Sequence, residues 1–154
     1  MFEIEQVSEP ESLNEARALF TEYQAELGLD LEFQSFSSEV AGLPGSYSPP
    51  RGRLLLARRD DLIAGCVALR PLDDDACEMK RLYIRPAFRG SGLGRVLAER
   101  IVAEARRIGY KRMYLDTLPS MVGAQRLYEA LGFRDVEAYR YNPVDGARYM
   151  ALDL

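Results

Sequence analysis

Glycines at three alternate positions, Gly90, Gly92 and Gly94, stand between a strand-like stretch and a long amphipathic one. The stretch before them, Cys77 to Ile84, reads as a strand, and Pro86 opens the turn that follows. Alternate glycines let backbone amides approach a ligand with no side chain in the way. A helix behind them aims its N-terminal amides and the positive end of its dipole at the same point. The unit therefore predicts a strand, a loop that cradles a phosphate or pyrophosphate, and a helix. The plain alternative is a tight strand-to-helix turn, which needs one glycine rather than three.

The rest of the chain arranges itself around this unit. Phe2 to Val7 alternates apolar and polar residues as a first strand. Ser8-Glu9-Pro10-Glu11 has the S-x-x-E form of a helix start with proline in the first turn. Leu13, Ala16, Leu19, Phe20, Tyr23 and Leu27 share one face of that helix, and Gly28 ends it. Between Leu29 and Arg53, residues Phe33, Phe36, Val40 and Leu43 mark a short second helix, broken by Pro44-Gly45 and Pro49-Pro50. This segment is either a substrate-contacting loop or a cover for the core.

Arg53 to Arg58 and Leu62 to Leu69 are apolar strands joined at Arg59-Asp60-Asp61. Asp73, Asp74 and Asp75 read as a solvated turn rather than a metal cluster, returning the chain into the strand that carries Glu78. After the glycines, Leu93, Val96, Leu97, Ile101, Ala105 and Ile108 recur at helical steps up to Gly109, and Arg112 to Thr117 is the next strand. Strand, helix and strand in series predict a parallel pair. Pro119-Ser120 opens a helix with Met121, Ala124, Leu127, Tyr128 and Leu131 on one side and Gly132 as its stop. Strands at Phe133 to Val136 and Ala147 to Leu154 close the chain. The expectation is a single α/β domain over residues 1–154. Its mixed sheet has about seven strands, an antiparallel meander followed by one parallel crossover, flanked by about four helices.

Charge and composition remove several partners. The chain has 24 acidic and 20 basic residues, a net charge of −4, which argues against nucleic acid or an anionic membrane as a partner. No apolar run approaches the roughly 20 residues needed to span a bilayer. Met1-Phe2-Glu3-Ile4-Glu5 lacks the form of a signal peptide, so a cytoplasmic protein is expected. Cys66 and Cys77 show no metal-ligand spacing and are expected to stay reduced. Histidine is absent, which removes the commonest metal ligand and every histidine-based triad. Carboxylates, tyrosines and water are left for proton transfer, and no metal is expected.

Two phosphate motifs fail on residues. The P-loop string G-x-x-x-x-G-K-[ST] does not occur. A dinucleotide fingerprint counted from Gly90 and Gly92 finds Arg95 where its third glycine belongs. Arg89-Gly90-Ser91-Gly92-Leu93-Gly94 instead matches [RQ]-x-x-G-x-[GA], and Leu127-Tyr128-Glu129-Ala130-Leu131-Gly132-Phe133 matches L-Y-x-x-x-G-F. With the strand and turn Leu82-Tyr83-Ile84-Arg85-Pro86, these strings resemble the GNAT superfamily of N-acetyltransferases. The resemblance runs from about Leu54 to the C-terminus.

That resemblance implies acetyl-CoA as co-substrate and direct transfer of its acetyl group to a primary amine, carried by a small molecule or a protein. It implies that Leu82, Tyr83 and Ile84 flank the pantetheine arm, with a backbone amide near Leu82 polarising the acetyl carbonyl. The amides of Arg89, Gly90, Ser91, Gly92, Leu93, Gly94 and Arg95 would hold the pyrophosphate. Thr117 and Ala124 are further coenzyme contacts. Met121 stands where many relatives have asparagine, leaving Thr117, Ser120, Gln125 or backbone to serve that edge. Tyr128 matches the family tyrosine that protonates the leaving thiolate, or else it belongs to the core. Glu78, eleven residues before Arg89, is the candidate base. Alternation places it on one face with Lys80, Leu82 and Ile84. A structural ion pair with Lys80 or Arg81, or deprotonation through water, are its alternatives. The acceptor pocket falls to the Leu29 to Arg53 segment and to Tyr139-Arg140-Tyr141-Asn142, which would suit a carboxylate-bearing amine or pack as an edge. A monomer or a homodimer paired through the C-terminal strand is expected. A non-catalytic acyl-CoA-binding module on the same fold is the rival reading, and a nucleotide-dependent enzyme the third.

Overall fold

A computed structural model describes residues 1–154. Seven strands form one sheet: β1 (Glu3–Gln6), β2 (Arg53–Arg59), β3 (Leu62–Pro71), β4 (Ala76–Ile84), β5 (Arg112–Thr117), β6 (Arg134–Asp135) and β7 (Arg148–Asp153). Their order across the sheet is β1-β2-β3-β4-β5-β7-β6, and only β4 and β5 run parallel. Four helices flank it: α1 (Pro10–Leu27), α2 (Phe36–Ala41), α3 (Leu93–Ile108) and α4 (Val122–Leu131). This is the mixed α/β architecture the sequence predicts. No helix is long and apolar enough to cross a membrane.

The sheet divides two cores. Leu93, Leu97, Ile101 and Ala105 of α3 meet Leu55, Val67, Met79 and Met113 on one face, joined by Tyr128 of α4. Ala16, Leu19 and Phe20 of α1 and Phe36 of α2 meet Leu54, Leu56, Cys66 and Ala68 on the other. The β2–β3 hairpin turns on Asp60 and Asp61, both at positive φ, 50° and 68°. Aspartate tolerates that region better than most side chains, and the mirror-image turn it makes matches the strand twist.

Three local expectations are corrected. Helix α1 is capped at Glu9, whose amide donates to Ser12 Oγ at 3.3 Å, instead of at Ser8 with Glu11. Proline at the first helical position sets that register. Helix α4 begins at Val122 rather than at Pro119-Ser120. Those residues form a turn in which the Leu118 carbonyl accepts from the Met121 amide and the Gln125 side chain. The C-terminal strand β7 is not an edge, for it lies between β5 and β6, so it offers no full-length side for pairing across a dimer.

The fourth correction bears on the site. Cys66 pairs with Tyr83 while Ala68 pairs with Lys80, so Val67 alone faces both Arg81 and Leu82. This is a β-bulge, and Arg81 takes φ 58° within it. The extra residue reverses the alternation. Cys77 and Met79 share the α3 face with Leu82 and Ile84, whereas Tyr83 turns to the α1 face. Glu78 and Lys80 therefore do not share a face with Leu82 and Ile84. The Arg81 guanidinium is buried and doubly hydrogen-bonded to Glu39 of α2, at 2.8 and 3.1 Å, above the Phe36 ring.

Strands β4 and β5 pair only from Ala76 to Glu78 against Arg112 to Tyr114. Beyond that β5 stays with β7 through Thr117 while β4 stays with β3, so the two diverge. That divergence opens a wedge between them.

Arg81→Ala is expected to lower stability by about 3 kcal/mol, because it leaves the largely buried Glu39 carboxylate without its cation. Arg81→Gly loses the same pair but relieves the left-handed backbone, and should cost about 1 kcal/mol less. Urea unfolding of both variants checks this; equal losses would mean that the bulge holds no strain.

Candidate active site

The wedge holds a cleft of about 570 Å3. Leu82, Tyr83 and Ile84 of β4 form one wall, and Ser120 to Ala124 with Leu127 form the other. Tyr23, Glu26 and Leu27 of α1 close the top. Arg89, Gly90, Gly92, Leu93 and Gly94 form the end.

That end is built for an anion. From Gly90 to Arg95 no backbone amide donates to a protein acceptor, and the first bond of α3 is Val96 N–H to the Gly92 carbonyl. No side chain caps this helix either. Open amides at a helix start, together with the dipole, favour a negative ligand. Gly90 and Gly92 sit at φ 79° and 84°, facing open space. Both the backbone angle and the room at the loop thus favour glycine there. The basic side chains contribute less than expected. Arg89 is paired with Glu26 at 2.6 Å and donates to the Ile84 carbonyl at 2.9 Å. Arg95 points outward to Glu99, and the Ser91 hydroxyl donates to the Phe88 carbonyl.

Of the remaining coenzyme candidates, Ala124 lies on the wall and Thr117 does not. Thr117 is buried against Met121 Sδ at 3.8 Å. Gln125 is held by the Leu118 carbonyl at 2.7 Å, so Ser120 and Met121 serve that edge.

A second, smaller cavity adjoins the cleft, sharing Tyr23, Leu27, Leu82 and Met121 with it. It measures about 30 Å3, room for a water or two. Tyr128 lines it, with its ring 5.7 Å from that of Phe133. Burial, helped by Tyr23 and Asp116 nearby, pushes the phenol pKa up, so Tyr128 keeps its proton. Tyr128 is therefore both core and cavity wall.

Glu78 lines neither space. It is fully buried and accepts from Arg70 Nε at 3.0 Å, Arg140 Nη2 at 3.0 Å and the Tyr139 hydroxyl at 2.5 Å. The ion pair is real, but its partners are Arg70 and Arg140 rather than Lys80 or Arg81. The same contacts tie down Tyr139 and Arg140, leaving Tyr141 exposed.

The charged and amide residues that line the small cavity are Gln34, Lys80, Arg81, Asp116 and Asn142, and of these Arg81 is already paired with Glu39. Sequence reasoning weighed Lys80 only as an ion-pair partner for Glu78 and gave Asp116 no role in transfer. The available signal was three charged residues, Glu78, Lys80 and Arg81, within one strand. Burial lowers the Lys80 pKa to about 8, against opposing pulls from Glu78 and Asp116 and with help from Arg81 and Arg70. Between pH 8 and 10.5 the unfolded chain holds a proton at this lysine that the folded chain has released. Stability contributed by this site therefore rises with pH through that window. Relative to Lys80→Met, the natural protein should gain on the order of 3 kcal/mol from pH 8 to 10.5, measured by denaturant unfolding. A difference that stays flat with pH would contradict the assignment.

Comparison with known proteins agrees with this geometry. The model of the Acetyltransferase (GNAT) family matches residues 13–133. An uncharacterized N-acetyltransferase of Schizosaccharomyces pombe is 41% identical over 153 residues, covering 98% of this chain and 94% of that protein. The crystal structure of an acetyltransferase from Streptococcus agalactiae superposes with a TM-score of 0.83 at 25% identity, over 99% of this chain and 98% of its own. A GNAT family acetyltransferase from Elizabethkingia anophelis, solved with acetyl-CoA bound, shares the fold at a TM-score of 0.66 and 20% identity, over 99% of this chain and 98% of that one. A glycine cradle at the mouth of a splayed sheet, a buried tyrosine beside it and a family match over most of the chain converge: this protein belongs to the GNAT family of acetyltransferases.

Proposed function

We propose that the protein moves an acetyl group from acetyl-CoA to the primary amine of a small acceptor by direct transfer. The observation that carries this is the row of open amides from Gly90 to Arg95 at the end of a cleft that runs on to Tyr128. Acetyl-CoA fits such a site by its chemistry: a pyrophosphate for the amides, and a narrow arm for the channel along Leu82 and Ile84. The E. anophelis relative, solved with acetyl-CoA bound, supports the same donor.

Transfer forms a bond from the acceptor nitrogen to the acetyl carbon as the carbon–sulfur bond breaks, giving an amide and a free thiol. The chain's residues divide the remaining work. The backbone of β4 beyond Glu78 has no strand partner on its open side, leaving an amide near Leu82 to polarise the carbonyl. Tyr128 gives its proton to the departing sulfur, and the burial that holds that proton also favours a neutral thiol over a thiolate. Asp116 is the carboxylate that faces the cavity, so the amine proton goes there rather than to Glu78. Glu78 instead anchors Arg140 and Tyr139 against the sheet.

Thiol release is the test. Protein, acetyl-CoA and a panel of small amines should give free thiol with at least one amine. Tyr128→Phe should lower kcat about 100-fold with little change in the KM for acetyl-CoA. Tight coenzyme binding without thiol from any amine would point to a non-catalytic binder. A larger rise in Tm with ATP or NAD than with acetyl-CoA would overturn the donor.

A further inference from the structure

The small cavity beside Tyr128 is lined by a buried ion pair that does not close. Side chains of Lys80 and Asp116 are only 3% and 7% exposed, yet their nearest atoms are 4.0 Å apart. A charge-assisted hydrogen bond closes to about 2.8 Å. Each ion has one short partner, and that partner is a neutral amide. Lys80 donates to Gln34 Oε1 at 3.0 Å, and Asp116 accepts from Asn142 Nδ2 at 3.1 Å. An ammonium has three donors and a carboxylate about four acceptor sites, so most of this capacity faces the cavity.

The fold closes its other buried charges tightly. Arg81 and Glu39 meet at 2.8 and 3.1 Å, and Glu78 has three donors at 3.0 Å or less. An open pair is costly where a closed one is geometrically possible. Lys80 shows the cost, since burial has already moved its ammonium toward neutrality. A carboxylate arriving at Lys80 would reverse that.

We propose that the acceptor is a small α-amino acid, seated with its carboxylate on Lys80 and its ammonium on Asp116. This rests on the transferase reading above and names its substrate class. An ammonium and a carboxylate borne on one carbon alternate in sign with the two fixed charges and complete a ring of four. The seat places the amine where the cavity meets the cleft, beside Leu82 and Tyr128. Other amines fit worse. A simple alkylamine meets Asp116 but leaves Lys80 facing a second cation. Polyamines and lysine side chains add positive charge with nothing for Lys80. A protein N-terminus carries an amide where the carboxylate is needed. The small cavity has room for the two charged groups in place of its water, so the side chain of the amino acid extends into the adjoining cleft.

The experiment compares matched acceptors that differ only in the carboxylate, such as alanine against ethylamine and valine against isobutylamine. Thiol release should favour the amino acid by about 100-fold in kcat/KM. Lys80→Met should collapse that ratio to a few-fold, through KM for the amino acid, with KM for acetyl-CoA unchanged. Lys80→Arg, which keeps the charge, should restore part of it. Equal turnover of both members of each pair by the natural protein overturns the inference without any variant, and leaves the transferase reading standing. If no amine releases thiol, the amino acid's effect on Tm decides. A rise in the natural protein that is lost in Lys80→Met supports the seat and overturns only the transferase reading. No rise with any amino acid overturns both.

Discussion

Strands β4 and β5 hold together for three residues and then part, and the rest of the molecule is arranged around that parting. A strand that loses its neighbour leaves backbone groups without partners, which a folded interior rarely permits. Here the freed side of β4 becomes one wall of a cleft, and the first turn of α3 brings a second set of unpartnered amides to its end. Two sets of open backbone groups at one opening form a binding site that no side chain needs to supply. The glycines keep it clear, because a side chain at Gly90 or Gly92 would sit at a backbone angle that L-residues disfavour.

The bulge at Arg81 belongs to the same arrangement. It shifts the register of β4 so that Leu82 and Ile84 turn toward α3, while Glu78 and Lys80 remain on the α1 side. Arg81 then spans to Glu39, tying the segment after α1 to the strand that lines the cleft. Buried charge in this half of the protein thus takes two forms. Arg81 with Glu39, and Glu78 with Arg70 and Arg140, are closed and hold elements in place. Lys80 and Asp116 are held apart at the cavity, which is the arrangement expected of groups kept for a ligand at some expense to stability.

Much of this was legible in the sequence, for identifiable reasons. The glycine loop, the α3 and α4 faces and the L-Y-x-x-x-G-F string depend on near neighbours in the chain, and their periodicity survives folding. The sheet order followed from short hairpins and a single helical crossover. What depended on distant partners was not legible. Glu78 finds Arg140 across 62 positions, and spacing along a strand says nothing of that. The bulge did leave a trace: polar residues sit at Glu78 and Lys80 and apolar ones at Leu82 and Ile84, so the pattern changes parity at Arg81. Read as a plain alternation, that change was invisible, and Glu78 was carried to the wrong face. Lys80 was hidden by the same error. Thr117 was expected at the coenzyme in place of the asparagine that Met121 replaces, but it is buried within the sheet, paired with Arg148.

In the proposed reaction, backbone amides of the glycine loop, more than any side chain, hold the donor. Amide hydrogen exchange resolved by residue, with and without acetyl-CoA, tests that most directly. Acetyl-CoA should slow exchange most strongly at Gly90 to Arg95, which have no protein acceptor of their own. Exchange at those positions unchanged by saturating acetyl-CoA, with protection appearing elsewhere, would contradict it.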